Sequence, residues 1–174
     1  MPTQPSRLRL RPFLPEDLLA LIEGVPQCEA RMGLRLAEGL RDFFVSGEVS
    51  AAWLERLRSA KVADPWTHGF AVIEESSQTV IGSAGFKGPP DDDGGVEIAY
   101  AIVPVKEGRG YATEAAAALV AFAFSDPRVR LIRAHTLPTA NASTRVLTKC
   151  AFTRTGEIVD PDDGPVWRWQ RARE

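Results

Sequence analysis

No stretch of this sequence approaches the uninterrupted apolar length that a membrane helix requires, and its N-terminus, Met-Pro-Thr-Gln-Pro-Ser-Arg, lacks the apolar core of an export signal. These absences lead us to expect a soluble, cytoplasmic protein with no membrane partner. Neither charge is in large excess: 21 basic and 23 acidic residues leave a formal net charge of −2, which argues against broad nucleic-acid binding. Cysteine is scarce. Cys28 and Cys150 stand far apart and without metal-ligand spacing, so we expect buried thiols in a reducing compartment and no metal. Two nucleotide motifs are also missing. A dinucleotide fingerprint G-x-G-x-x-G would need a glycine where Thr113 stands, and a Walker loop would need Gly-Lys-Ser/Thr.

What is present is ordinary globular material. The 174 residues are 44% hydrophobic and 25% charged, enough for one domain with a single core. Arg7 to Leu10 alternates and predicts a first strand that stops before Pro12. Pro15-Glu16-Asp17 opens a helix, with Leu18, Leu21 and Ile22 on one face before Gly24. From Pro26 to Ala60 the pattern predicts two or three short helices punctuated by Gly33, Gly39 and Gly47. Strands are expected over Thr67–Glu74 and Thr79–Phe86, joined as a hairpin by Glu75 to Gln78.

The chain is organised around Val96 to Thr113. A strand over Val96–Val103 runs through Gly108-Arg109-Gly110 into an alanine-rich helix over Tyr111–Phe124. Its glycines permit a tight turn, and the free N–H groups and dipole of the helix start favour a phosphate, with Lys106 and Arg109 as adjacent charges. By itself such a loop also fits an ordinary strand-to-helix connection. Val96, Ile98, Tyr100 and Ile102 make one bulky strand face. Glu97, Ala99, Ala101 and Val103 leave room on the other, as where a ligand lies against a sheet.

A strand over Val129–Thr136 follows through a helix and must pair in parallel with the Val96 strand. Asn141 or Ser143 caps a helix reaching about Cys150. Strands over Phe152–Ile158 and Val166–Gln170 close the chain, with Trp167 and Trp169 on one face as core or sheet-packing residues. The acid run Asp91-Asp92-Asp93 reads as a solvated turn. Glu97 qualifies equally as a general base or a structural ion-pair partner. His135 qualifies as a base, a substrate contact or a satisfied rim histidine.

Taken together, L-R-L-R-P near the start, E-I-A-Y-A-I-V-P, G-R-G-Y-A-T-E-A and N-A-S-T-R-V-L-T-K-C-A-F resemble the GNAT N-acetyltransferases. Within that superfamily they resemble the branch of the ribosomal-protein N-terminal acetyltransferases RimJ and RimL. The resemblance implies an α+β (mixed α/β) three-layer fold. Its sheet is mostly antiparallel, helices flank it, and one parallel strand pair splays apart to admit acetyl-CoA. It implies that Gly108, Arg109, Gly110, Tyr111, Ala112 and Thr113 hold the pyrophosphate and that backbone at Ile102 and Val103 pairs with pantetheine. Asn141 and Ser143 then lie near the thiol end.

Three positions depart from the pattern. Val105 stands where relatives carry Gln or Arg, Ala140 where they carry Asn, and Ala151 where they carry Gly before Phe152, a place where positive φ would strain alanine. The family's last-helix tyrosine has no counterpart near Thr148, and Tyr111 reads as packing.

The implied activity is acetyl transfer from acetyl-CoA to a primary amine by direct attack, with Glu97 as base, Ser143 as acid and no metal. The acceptor is a protein N-terminus or a small-molecule amine, and a homodimer is left open. A second reading keeps the fold but makes it a non-catalytic acyl-CoA sensor or interaction module.

Overall fold

The computed structural model describes residues 6–46 and 49–174, so the expected punctuation at Gly47 and the first five residues lie outside the described part. Among the described residues are eight strands and six α-helices. They run β1 (Leu8–Pro12), α1 (Pro15–Glu23), α2 (Val25–Met32), β2 (Arg35–Leu36), α3 (Ala51–Ser59), α4 (Pro65–His68), β3 (Phe70–Glu74) and β4 (Thr79–Phe86). Then follow β5 (Gly95–Ile102), α5 (Tyr111–Ser125), β6 (Leu131–Thr136), α6 (Ala142–Lys149), β7 (Thr153–Asp160) and β8 (Gly164–Ala172).

The strand order is β1-β3-β4-β5-β6-β8-β7, with β2 beside β4. Most neighbours are antiparallel; the exceptions are β5–β6 and the two-residue β2. The fold is thus the expected mixed α+β, mostly antiparallel sheet, with β5–β6 as the predicted parallel pair and the short β2–β4 pairing as a second. Pro12 is inside β1, paired with Phe70, rather than beyond its end. It is tolerated because β1 is the outermost strand and its missing N–H costs no ladder bond.

Several boundaries differ for local reasons. Thr67 and His68 belong to α4, not to a strand. Asp64 caps that turn, accepting from Trp66 N–H at 3.1 Å and Thr67 Oγ1 at 2.8 Å, and Pro65 opens it. Gly69 then reverses the chain at φ +71°, where a Cβ would stand 2.9 Å from the Ala84 carbonyl oxygen. Val129 is not in β6, because Asp126 draws the Arg128 amide (2.9 Å) and the Val129 amide (3.1 Å, to its carbonyl) into a turn. The last two strands are longer than expected, and β7 is the sheet's other margin.

Helix α5 lies on β5, β4 and β1, its Ala115, Ala116, Leu119 and Ala123 fully buried. Small residues there allow the helix to sit close to the sheet. Its buried face joins Val96, Ile98, Ile132 and Leu147 in one continuous core. That core fixes the position of both ends of the organising stretch.

Candidate active site

Strands β5 and β6 are in register only at Gly95–Leu131, Val96–Ile132 and Glu97–Arg133; beyond Glu97 they part. The alternation of β5 decides which backbone groups face the opening. Lys87 N–H donates to Glu97 O and Val103 N–H to Ile81 O, both at 2.9 Å, so residues 97, 99, 101 and 103 bond to β4. The amides and carbonyls of Tyr100 and Ile102 therefore point to the splayed side. This corrects the expectation for Val103: its N–H is spent on β4 and cannot pair with a ligand, whereas Ile102 and Tyr100 keep free groups.

From the splay a cleft of about 790 Å³ opens toward the glycine loop, lined by Tyr100, Ile102, Gly108, Gly110, Thr113 and Ser143 among others. Among the described residues, no carbonyl or side chain accepts from the N–H groups of residues 108–113, and the first helical bond of the turn is Glu114 N–H to Gly110 O at 3.1 Å. Six consecutive unpaired donors at a helix start form a cradle whose chemistry suits an anion. Gly108 and Gly110 turn the chain at φ +73° and +85°. Gly108, Arg109, Gly110, Tyr111, Ala112 and Thr113 thus present one run of free N–H groups at the start of α5.

The cradle is braced from behind. Arg7 donates to the Arg109 carbonyl at 2.8 Å, pairs with Glu114 at 3.0 Å and stacks over the Tyr111 ring. Buried Glu74 receives Tyr111 Oη at 2.7 Å, Ser77 Oγ at 2.6 Å and Lys106 Nζ at 3.0 Å. Hydrogen bonds from Ser77 and Tyr111, with Lys106 behind them, outweigh burial and hold the Glu74 carboxyl at about 2. Lys106 is therefore the counterion of Glu74. Tyr111, read from sequence as packing, is also a hydrogen-bond donor.

A second cavity of about 350 Å³ adjoins the splay, lined by Lys87, Glu97, Tyr100, His135, Asn141, Ser143 and Asp163 among others. Tyr100 and Ser143 line both cavities, so they stand where the two meet. Asn141, not Ser143, caps α6: its side chain accepts Thr144 N–H at 3.0 Å, while Thr144 Oγ1 accepts Asn141 N–H at 3.0 Å. That leaves the Ser143 hydroxyl free of the cap, beside Tyr100 where the two cavities meet, and burial pushes the Tyr100 phenol up to about 12, with Ser143 pulling the other way. At neutral pH that phenol keeps its proton.

Of the two readings open for Glu97, general base or ion-pair partner, the geometry shows the ion pair. Burial pushes its carboxyl up, but His135 Nδ1 at 2.7 Å and Lys87 Nζ at 3.0 Å, both on Oε1, hold it below the ordinary carboxylate range. His135 Nε2 is buried and has no partner among the described residues. Sequence reasoning missed Tyr100, Lys87 and Asp163. A lone polar ring amid the bulky positions Ile98 and Ile102 was the available sign for Tyr100; nothing local marks the other two.

No group of three His, Cys, Asp or Glu among the described residues could hold a metal ion. No helix there is long and apolar enough to cross a membrane. Cys28 and Cys150 are free and buried.

Residues 7–153 match the family described as "Acetyltransferase (GNAT) domain". The chain is 29% identical over 111 residues to the uncharacterised N-acetyltransferase YjdG of Bacillus subtilis, a match spanning 64% of each chain. Among solved structures, the ribosomal-protein-S5-alanine acetyltransferase of Vibrio fischeri superposes with a TM-score of 0.67 at 13% identity, covering 98% of this chain and 95% of that one. The spermidine N-acetyltransferase of Vibrio cholerae, solved with CoA and spermine, superposes with a TM-score of 0.65 at 18% identity over 97% and 96% of the two chains. At these identities the likeness is one of fold.

Proposed function

The chain belongs to the GNAT acetyltransferase domain family, and from that premise we propose that it transfers the acetyl group of acetyl-CoA to a primary amine by direct attack, as one domain and without a metal. The observation that carries this reading is the run of six unpaired N–H groups at 108–113, set at the end of a cleft that begins between splayed strands. These residues suit a diphosphate, and the free groups of Tyr100 and Ile102 suit an extended amide chain laid along β5. Asn141 and Ser143 then border the thioester end.

In this reading the acceptor enters the smaller cavity, where Glu97 and Asp163 favour a cationic amine. The amine loses a proton on the Glu97 side. Its nitrogen bonds to the thioester carbonyl carbon, the C–S bond breaks, and Ser143 backed by the Tyr100 phenol protonates the departing thiolate. Approximation in a closed cleft supplies much of the rate. The acceptor is a small polyamine-like or aminoglycoside-like amine or a protein N-terminus of the RimJ/RimL type. A cytoplasmic setting fits two free, buried cysteines.

Calorimetry with acetyl-CoA, followed by CoA release with spermidine, kanamycin and a peptide with N-terminal alanine, tests the proposal. We expect binding and turnover of at least one amine. Absence of acetyl-CoA binding to folded protein would overturn it, and binding without turnover would support an acyl-CoA-sensing module.

A further inference from the structure

The hydrogen-bond pattern around Glu97 separates the group that orients from the group that can accept a proton. Glu97 Oε1 already takes both His135 Nδ1 (2.7 Å) and Lys87 Nζ (3.0 Å). An ionised carboxylate can only accept, so His135 Nδ1 must donate, and in the neutral imidazole the lone pair lies on Nε2. That atom is buried without a donor to satisfy it, on a side chain that is 16% exposed and lines the acceptor cavity. A buried acceptor without a protein partner is costly unless a water or a ligand N–H donates to it, which makes Nε2 a docking point for an N–H donor in this cavity.

We propose that His135 Nε2, oriented by Glu97 through Nδ1, takes the proton from the acceptor amine. The inference rests on the acetyl-transfer reading and sharpens it: Glu97 becomes a positioning residue and His135 the base. The fold delivers the pair from two strands at the point where they part. Glu97 ends the parallel register on β5, and His135 lies two residues past its partner Arg133 on β6, on the same sheet face.

The proton count closes. An ammonium acceptor yields one proton to Nε2, and the freed amine forms the N–C bond as the C–S bond breaks with its electron pair on sulfur. Sulfur takes a proton from the Ser143 and Tyr100 side. The amide nitrogen's remaining surplus proton replaces it there, and His135 returns its own to solvent.

The charged and titratable groups around His135 are Glu97 on β5, Lys87 after β4, Arg168 opposite it on β8, and Asp160 and Asp163 at the β7–β8 turn. Lys87 competes with His135 for the same carboxylate oxygen. Removing its amine leaves Glu97 to His135 alone.

The test combines a spectroscopic and a kinetic readout. The chain has two histidines, so imidazole nitrogen shifts of the CoA-bound protein at alkaline pH are assignable with a His68→Gln control. We expect the tautomer protonated on Nδ1 at His135. The opposite tautomer would overturn the proposal.

With whichever panel amine turns over, His135→Gln should lower kcat by about 100-fold or more. It should also remove the acidic limb of the kcat/KM profile, while acetyl-CoA affinity stays unchanged by calorimetry. Glu97→Gln should cost about tenfold and keep an acidic limb, as a positioning residue does. In His135→Ala, added imidazole should restore part of the rate. A His135→Gln enzyme with full rate and intact limb would overturn the proposal, as would a Glu97→Gln enzyme that alone lost both. Failure of the wild type to acetylate any amine would instead bring down the acetyl-transfer reading, and the base role with it.

Discussion

Ala151 occupies a left-handed position at φ +63°. It closes α6 as a Schellman turn, in which Phe152 N–H reaches Leu147 O at 2.9 Å and Ala151 N–H reaches Thr148 O at 3.1 Å. The same conformation that costs an L-residue about 1–2 kcal/mol is free to glycine, which loses about 0.5–1 kcal/mol more chain entropy on folding. Ala151→Gly should therefore stabilise the protein by roughly 0.5 kcal/mol or slightly more, read as a rise in thermal midpoint. Glu74 gives a second residue-scale outcome. Its folded carboxyl sits at about 2 against an ordinary 4.5, so its contribution is present above about 4.5 and lost as pH falls toward 2. Melting temperature should drop across that window in the wild type and less steeply in Glu74→Gln.

At the scale of elements, the loop and the start of α5 work as one unit. A Cβ at Gly110 would come within 3.1 Å of the Arg7 side chain on top of its strained φ of +85°. Gly110→Glu also brings a negative charge against the diphosphate, so acetyl-CoA affinity should fall by about 100-fold or more in calorimetry. Arg109→Ala should cost much less, because the carbonyl of residue 109, not its side chain, is what Arg7 holds. Lys106→Met should act indirectly, by leaving Glu74 underpaired and the Tyr111 brace looser. Asn141→Ala removes the cap of α6 and should cost about 1 kcal/mol of stability. It also frays the turn that presents Ser143.

At the scale of the whole molecule, the sheet consists of two halves in continuous register only where β5 and β6 still pair. A ligand lodged in the splay and on the loop touches β5, α5 and α6 together. Acetyl-CoA at about 100 times its dissociation constant should stabilise the native state by about 2.7 kcal/mol, visible as a concentration-dependent thermal shift. No shift at saturating acetyl-CoA would mean that the native state does not bind it.

The sequence alone determined the features that depend on neighbours in the chain. The glycine loop, the helix from Tyr111, the β3–β4 hairpin and the parallel β5–β6 pair all follow from local turn chemistry, periodicity and the need for a crossover. The tertiary structure decided what depends on residues far apart. Lys87 lies ten residues from Glu97 and His135 thirty-eight, yet both meet one carboxylate oxygen. That meeting decides between the two readings of Glu97 in favour of the ion pair and leaves His135 Nε2 without a partner among the described residues. The physical reason is the same for Val103: which partner a backbone or side-chain group finds is set by strand register, and register is fixed only when the whole sheet buries its core.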